Sequence, residues 1–389
     1  MSPPSSPSLA AHLSRNVRRL EQPRREPGID LARGLAVLGM FAAHLMVVPE
    51  LVWADPGTWL GVVEGRSSIL FATLAGVSLG LLARSASQAP GIQAGARTSI
   101  AIRAAVIWAI GLGLLAFEIP VYIVLPAYGV LLLIGAIMLT WSTRWLLATS
   151  LLVAVTAPFL VAFINRHGPP VPDSAAEAVF DALGWNYPFV LWVAFVAAGL
   201  VAGRAVAHST TRTLVMAAGG AVAAVVGYGV VGPAGNAVVE THGEYLPPGT
   251  RLWALSVVQS FPHSSGVGEA VGSGGFALAV IGLCVLIGRT AVRWLLWPMR
   301  VLGSMPLTAY VAHLVVWGIW ILANPEVGRV IDPLDGFRAL DPFWPMTLGI
   351  TTGCILWALL VGRGPLESLL HFLASPSVAH EHLKDAQST

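Results

Sequence analysis

Long apolar runs alternate with short polar ones along the whole chain. A helix that crosses a hydrocarbon core of about 30 Å needs about 20 such residues. Runs of that kind fall at about 29–48, 66–85, 99–117, 120–140, 144–164, 187–206, 212–232, 269–288, 302–323 and 343–362. The pattern predicts an all-α, polytopic transmembrane helical bundle of about ten spans. Phe117 and Pro120 leave no room for a loop between the third and fourth runs, so 99–140 reads as a tight hairpin around Glu118 and Pro120. Proline suits that place because the first turn of a helix tolerates it. The run 290–299, TAVRWLLWPM, is short and amphipathic and belongs at the interface rather than across the bilayer.

The polar segments divide by charge. Of the 22 Lys and Arg residues, only Arg66, Arg166, Arg251, Arg329 and Arg338 fall outside if the N-terminus is inside, and Asp and Glu lean towards the outer segments. Basic residues concentrate on cytoplasmic loops, so both termini are expected to be cytoplasmic. The outer connections 49–65, 165–186, 233–268 and 324–342 are the long ones, which directs any chemistry to the outer face. Residues 1–26 read as a disordered cytoplasmic tail and 27–232 as an N-terminal transmembrane region. Residues 233–268 follow as an extracytoplasmic loop, 269–371 as a C-terminal transmembrane region and 372–389 as a polar cytoplasmic tail.

Composition agrees with the pattern. The 389 residues are 56% hydrophobic and 11% charged, with a mean hydropathy of +0.74; a soluble domain carries about 25% charged residues. A net charge of +2 without a basic patch or Cys/His finger spacing argues against nucleic acid as a partner. Cys284 and Cys354 lie within apolar runs as small hydrophobes. No His, Cys and carboxylate set has metal-ligand spacing, so no metal is expected. Gly76 with Gly80 and Gly199 with Gly203 read as close helix contacts, and such small-residue faces also suit a homodimer. Abundant Arg, Ala, Gly and Val suggest a bacterium of high GC content, hence a multi-pass protein of the cytoplasmic membrane surrounded by membrane lipids.

Ionisable groups at membrane depth are costly and are kept where they pair or line a cavity. In GIDLARGLAVLGMFAAHL, Asp30 and Arg33 are three apart and can face each other near the inner end. This is either an ion pair that sets the span or a grip on an anionic ligand. His44 lies eleven residues on, about 16 Å along the same stripe. Its imidazole is either an interhelical hydrogen-bonding group or a proton acceptor. In GRSSILFATLAGVSLGLLA, Ser67 and Glu64 suit a helix start, whereas Arg66 at the positive end of the dipole needs an anionic partner, for which Glu118 is a candidate. SFPHSSGVGEAVGSGGFAL sets His263 six residues before Glu269, a carboxylate that would orient His263 or His44. In the ninth run His313 shares a face with Tyr310 and Trp317.

GIDLARGLAVLGMFAAHL followed by GRSSILFATLAGVSLGLL resembles the N-terminal half of membrane proteins grouped with the catalytic domain of heparan-alpha-glucosaminide N-acetyltransferase. VLGSMPLTAYVAHLVV to GRGPLESLLH is similar to the DUF418 domain of YeiB-like bacterial proteins, with its closing GPLE. The first resemblance implies an enzyme that moves an acyl group, in the characterised case acetyl, from cytosolic acetyl-CoA or another acyl-CoA to a hydroxyl or amine of a sugar or envelope glycan acceptor on the far side. It places Asp30 and Arg33 near CoA. The family's catalytic histidine lies in the loop leading to the second span; here MVVPELVWADPGTWLGVVEG holds no histidine, and His44 is the nearest. On that model His44 or His263, backed by Glu269, deprotonates the acceptor, and Arg66 or His313 stabilises the tetrahedral oxyanion. The same polar stripe would serve a transporter or flippase, with His44 and His313 as gates, and a non-catalytic scaffold is the third reading.

Overall fold

The computed structural model describes residues 9–22, 25–86, 90–167, 175–206, 209–243 and 246–375. Residues 1–8 and 376–389, both assigned above to tails, lie outside the described residues. The helices of the first half are α1 (Leu9–Arg18), α2 (Pro27–Leu45), α3 (Arg66–Ala86), α4 (Pro90–Leu115), α5 (Leu125–Met138), α6 (Thr143–His167) and α7 (Ala175–Leu183). Then come α8 (Phe189–Val206), α9 (Thr210–Val226), α10 (Gly232–His242), α11 (Arg251–Ser256), α12 (Val267–Gly288) and α13 (Val292–Leu295). The last are α14 (Trp297–Ser304), α15 (Pro306–Ala323), α16 (Pro333–Arg338), α17 (Phe343–Leu360) and α18 (Pro365–Leu373). Among the described residues, nine helical stretches are long and apolar enough to cross a membrane, and α5, at 14 residues, is a shorter apolar helix. The chain is an all-α polytopic bundle and a multi-pass membrane protein.

Position within the bundle follows side-chain size. The spanning windows of α2 and α3 are 72% and 78% buried, whereas those of α6 and α17 are 22% buried. The outer helices turn Leu151, Leu152, Val222, Leu348 and Leu356 to their surroundings, a face that suits hydrocarbon. The inner helices approach closely because glycines meet across them. A Cβ on Gly76 would strike Gly199 and the Val196 carbonyl, and one on Gly80 would strike Gly203 and the Leu200 carbonyl. The two small-residue pairs of α3 and α8 therefore face each other, as their spacing predicts.

Several boundaries differ from the sequence reading. The fourth run becomes helical only at Leu125; Pro120 and its neighbours up to Val124 stay non-helical, and the Val124 amide donates to the Tyr310 hydroxyl at 3.3 Å. Non-helical backbone at this depth persists where it is buried in protein or lines a cavity. A π-helical turn, Gly227–Val231, joins α9 to α10, so the loop expected from 233 is helical to His242 and again in α11. The expected N-terminal tail is folded from residue 9: α1 leads into a 3-10 turn, Arg19–Glu21, and Leu20 is buried. Arg300, fully buried on α14, holds that turn by donating to the Glu21 carboxylate at 2.6 Å and the Leu20 carbonyl at 3.2 Å.

The GPLE stretch has a physical role. Glu367 of α18 accepts the Leu307 and Thr308 amides at 2.9 and 3.1 Å and the Thr308 hydroxyl at 2.5 Å. A carboxylate thus caps the start of α15, where amides lack partners within the helix and the dipole favours negative charge. Glu367→Ala removes that cap and is expected to cost roughly 2 kcal/mol, read as a lower thermal-unfolding midpoint in detergent. An unchanged midpoint would mean that α15 starts without it.

Candidate functional site

The end of α2 opens into a cavity of about 500 Å³. His44, Glu64, Ser67, Tyr187, His263, Tyr310 and Arg338 line it, together with Ile119–Tyr122 of the non-helical stretch. Each wall has a local cause. α2 ends at Leu45, and Arg338 of α16 completes its last turn by donating to the Ala43 and His44 carbonyls at 2.9 and 3.1 Å. A cation there also suits the negative end of the helix. Gly65, with φ +68°, turns the chain into α3, whose first residues bring Ser67 and Ser68 to the cavity. Tyr187 donates its hydroxyl to the Tyr122 carbonyl at 2.9 Å and so fixes the non-helical wall.

His44 and His313 form the core of the site. His44 Nδ1 lies 3.0 Å from His313 Nε2, and the rings are 5.3 Å apart at 27°. His313 is fully buried, packed 4.7 Å from Phe41 and 5.0 Å from Tyr310, so it stands behind His44 and away from the cavity. A bond between two imidazoles needs one donor and one acceptor. If His44 carries its proton on Nδ1 and donates to His313, His44 Nε2 is left as a lone-pair acceptor for a ligand in the cavity. The buried histidine then selects the tautomer of the cavity-lining one.

A second pair occupies the rim. His263 Nε2 is 3.3 Å from Glu64 Oε1, and the His263 ring lies 6.3 Å from that of Tyr187. The bond from His263 is the largest influence on Glu64 and holds its carboxyl below the usual 4.5, although burial opposes this. Burial pulls the His263 imidazole down, but the bond to Glu64 and the charges of Glu269 and Glu64 outweigh it and raise it above 6.5.

Glu269 does not stand behind either ring. Its oxygens accept the His263 and Ser265 amides, both at 2.7 Å, and the Ser264 hydroxyl at 3.4 Å. The backbone there is unusual, with φ of 61° at His263 and 55° at Ser265. Glu269 therefore shapes the loop that presents His263, and Glu64 is the carboxylate on its imidazole. Arg66 lines a different pocket, and its partners are carbonyls and aromatic rings instead of Glu118. Neither Arg66 nor His313, both expected to face a tetrahedral oxyanion, lines this cavity.

Asp30 and Arg33 sit at the opposite end of α2. Arg25 grips both Asp30 oxygens, at 2.5 and 3.0 Å, while Arg33 reaches Asp30 at 3.2 Å and the Ser78 hydroxyl at 2.7 Å. Asp30 is thus saturated by two arginines. Between this end and the cavity the aromatic rings of Tyr128, Phe71 and Tyr310 follow one another, with centroids 4.9 and 6.5 Å apart. Among the described residues no group of three or more His, Cys, Asp or Glu is placed to hold a metal ion.

Tyr187, Arg338 and Glu64 escaped the sequence reading as site residues. Tyr187 and Arg338 arrive from distant connections with no local signal, whereas Glu64, next to Arg66, was read only as a helix-start acid. Glu64→Gln removes the main raising influence on His263 and leaves its burial, so the His263 titration, followed by NMR, should move to lower pH. In the wild type the pair's contribution should be complete between 4.5 and 6.5, the ordinary values of the two groups. It should fade above, as pH passes the raised His263 value, and below, as pH passes the lowered Glu64 value. Identical titrations in both proteins would remove Glu64 as the partner.

A family model described as heparan-alpha-glucosaminide N-acetyltransferase, catalytic, matches residues 25–232, more than half of the chain. No curated protein matches as a relative. The matched part supplies His44, Glu64 and Tyr187, and the remainder supplies His263, Tyr310, His313 and Arg338.

Proposed function

Because the chain belongs to the heparan-alpha-glucosaminide N-acetyltransferase catalytic family, we propose that it transfers an acyl group, by preference acetyl, from acyl-CoA on one side of the membrane to a sugar hydroxyl or amine on the other. The observation that carries this reading is the buried His313 against a cavity-lining His44 at 3.0 Å. A proton acceptor whose tautomer is fixed by a second buried group is what acyl transfer to a weak nucleophile requires.

The donor's phosphates would meet the arginine-rich end of α2. Arg33 has only part of its guanidinium engaged there, and Arg19 stands beside Gly362 on the connection to α18. Tyr128, Phe71 and Tyr310 pack against one another between the two ends, so an extended thioester arm would have to part them to reach the cavity. There His44 Nε2 takes the proton of the acceptor hydroxyl or amine as its oxygen or nitrogen bonds to the thioester carbon. The carbon–sulfur bond then breaks, and the leaving thiolate takes the proton from His44. Negative charge on the carbonyl oxygen would face the first turn of α3, where Ser67 and Ser68 reach the cavity and helical amides lack partners. We place the CoA end in the cytoplasm, the acceptor outside, and the protein in a bacterial cytoplasmic membrane.

The test is transfer of labelled acetyl from acetyl-CoA to glucosamine by protein reconstituted in liposomes. His44→Ala should lower the rate by about 10²-fold or more, and His313→Leu by a smaller factor through kcat, since the tautomer of His44 is no longer selected. A wild-type rate in His44→Ala would end this assignment.

A further inference from the structure

Beside the His44 cavity, and separated from it by Glu64, lies a second pocket of about 380 Å³. That volume is within the range of about 300–1,000 Å³ usual for small-molecule sites. Its lining includes Glu50, Trp53, Arg66, Tyr228, Asn236 and Ser260. Arg66 is the unusual member. It is only 5% exposed, begins α3 and so sits at the positive end of a 21-residue helix, where a cation is disfavoured. Among the described residues it forms no ion pair. Its Nη1 makes two 3.4 Å contacts to the Gly61 and Glu64 carbonyls, its side chain also meets the Tyr228 hydroxyl and the charge of Glu269, and its buried Nε has no partner.

Three other buried or half-buried arginines have firmer partners, although the Arg300 Nε is likewise without one. Arg300 has Glu21, Arg33 has Asp30 and Ser78, and Arg338 has two helix-end carbonyls. The acids near Arg66 do not match it. Glu269 holds the 263–265 loop, Glu64 holds His263, and Glu50 is exposed at the pocket mouth. Aromatic faces hold the guanidinium in place instead, with Tyr228 4.6 Å and Trp53 6.0 Å from it. Tyr228 stands on the π-helical turn and is fixed by a 2.5 Å bond to Ser273. π-Helical turns recur at functional sites. A buried guanidinium left with an open donor is costly unless a ligand completes it.

We infer that this pocket is an acceptor subsite in which Arg66 binds a carboxylate carried by the acceptor sugar and Trp53, 56% exposed, receives the sugar's apolar face. This rests on the acyl-transfer reading for the position of the reacting group, since a molecule anchored here reaches past Glu64 into the His44 cavity. The anion meets the guanidinium and the start of α3 together, which accounts for an arginine in a position that a capping residue would otherwise fill. The acceptor is therefore an acidic sugar in preference to a neutral one.

The test reads binding without acyl donor. Full-length protein in detergent is titrated with glucuronate and with glucose, followed by tryptophan fluorescence and thermal-unfolding midpoint. Glucuronate should bind at least ten-fold more tightly than glucose and raise the midpoint, and Arg66→Gln should erase that difference. Without ligand, Arg66→Gln should unfold at the wild-type temperature or above it, because an unmatched buried charge is gone; a lowered midpoint would mark Arg66 as structural and overturn the inference. Trp53→Ala provides a second variant at an exposed position and should weaken glucuronate binding. His44→Ala should keep the glucuronate response while losing acetyl transfer, so failure of the subsite and failure of the transferase reading give different results. Equal binding of glucuronate and glucose, or an equal effect of inorganic sulfate, would overturn the inference.

Discussion

The contact between His44 and His313 constrains the rest of the molecule. Two imidazoles at membrane depth cannot turn to water, so each must find its hydrogen bond inside the protein. Here they find each other, and that fixes the end of α2 against the middle of α15. Other features hold this junction in place. Glu367 sets the start of α15, Arg338 closes the end of α2, and the opposed glycines of α3 and α8 bring the neighbouring helices close enough to wall the cavity. The non-helical stretch before α5 is possible only because Tyr310 and Tyr187 take up its exposed backbone groups. The polar centre is thus a shared junction of elements far apart in sequence.

Two ion-pair systems divide the work along α2. At one end Asp30 is clamped by Arg25 and Arg33, an arrangement that anchors the helix and leaves part of Arg33 unspent. At the other end the charges are softer: a Glu64–His263 pair at the rim, partly open to solvent, beside an imidazole dyad. The first gives a fixed location and an electrostatic attraction. The second gives a bonded imidazole and carboxylate at the rim and a further imidazole on the cavity wall.

The spans were legible in the sequence because lipid imposes length and hydropathy on every crossing, and among the described residues nine long helical stretches with a shorter apolar helix follow those runs. Ionisable residues in apolar runs drew notice to His44, His313 and the Asp30–Arg33 pair, and the structure sets His44 against His313 and Arg33 against Asp30. The pairing was less legible. His263 lies six positions before Glu269, which suggested a carboxylate behind an imidazole, but the short loop turns its amides towards Glu269 and sends the ring to Glu64. Arg338 and Tyr187 join the site through tertiary packing alone, and no local pattern marks them. Arg300 was one basic residue in a charge count until its burial against Glu21 gave it a place.

That last contact has a consequence for where the molecule can be divided. The family match begins at residue 25, yet Glu21 and Leu20 lie just upstream and satisfy a guanidinium sealed within α14. Cutting at the homology boundary would strand that cation in a dry interior, whereas trimming the first eight residues spares the latch. The contacts that satisfy Arg300 therefore begin upstream of the matched residues.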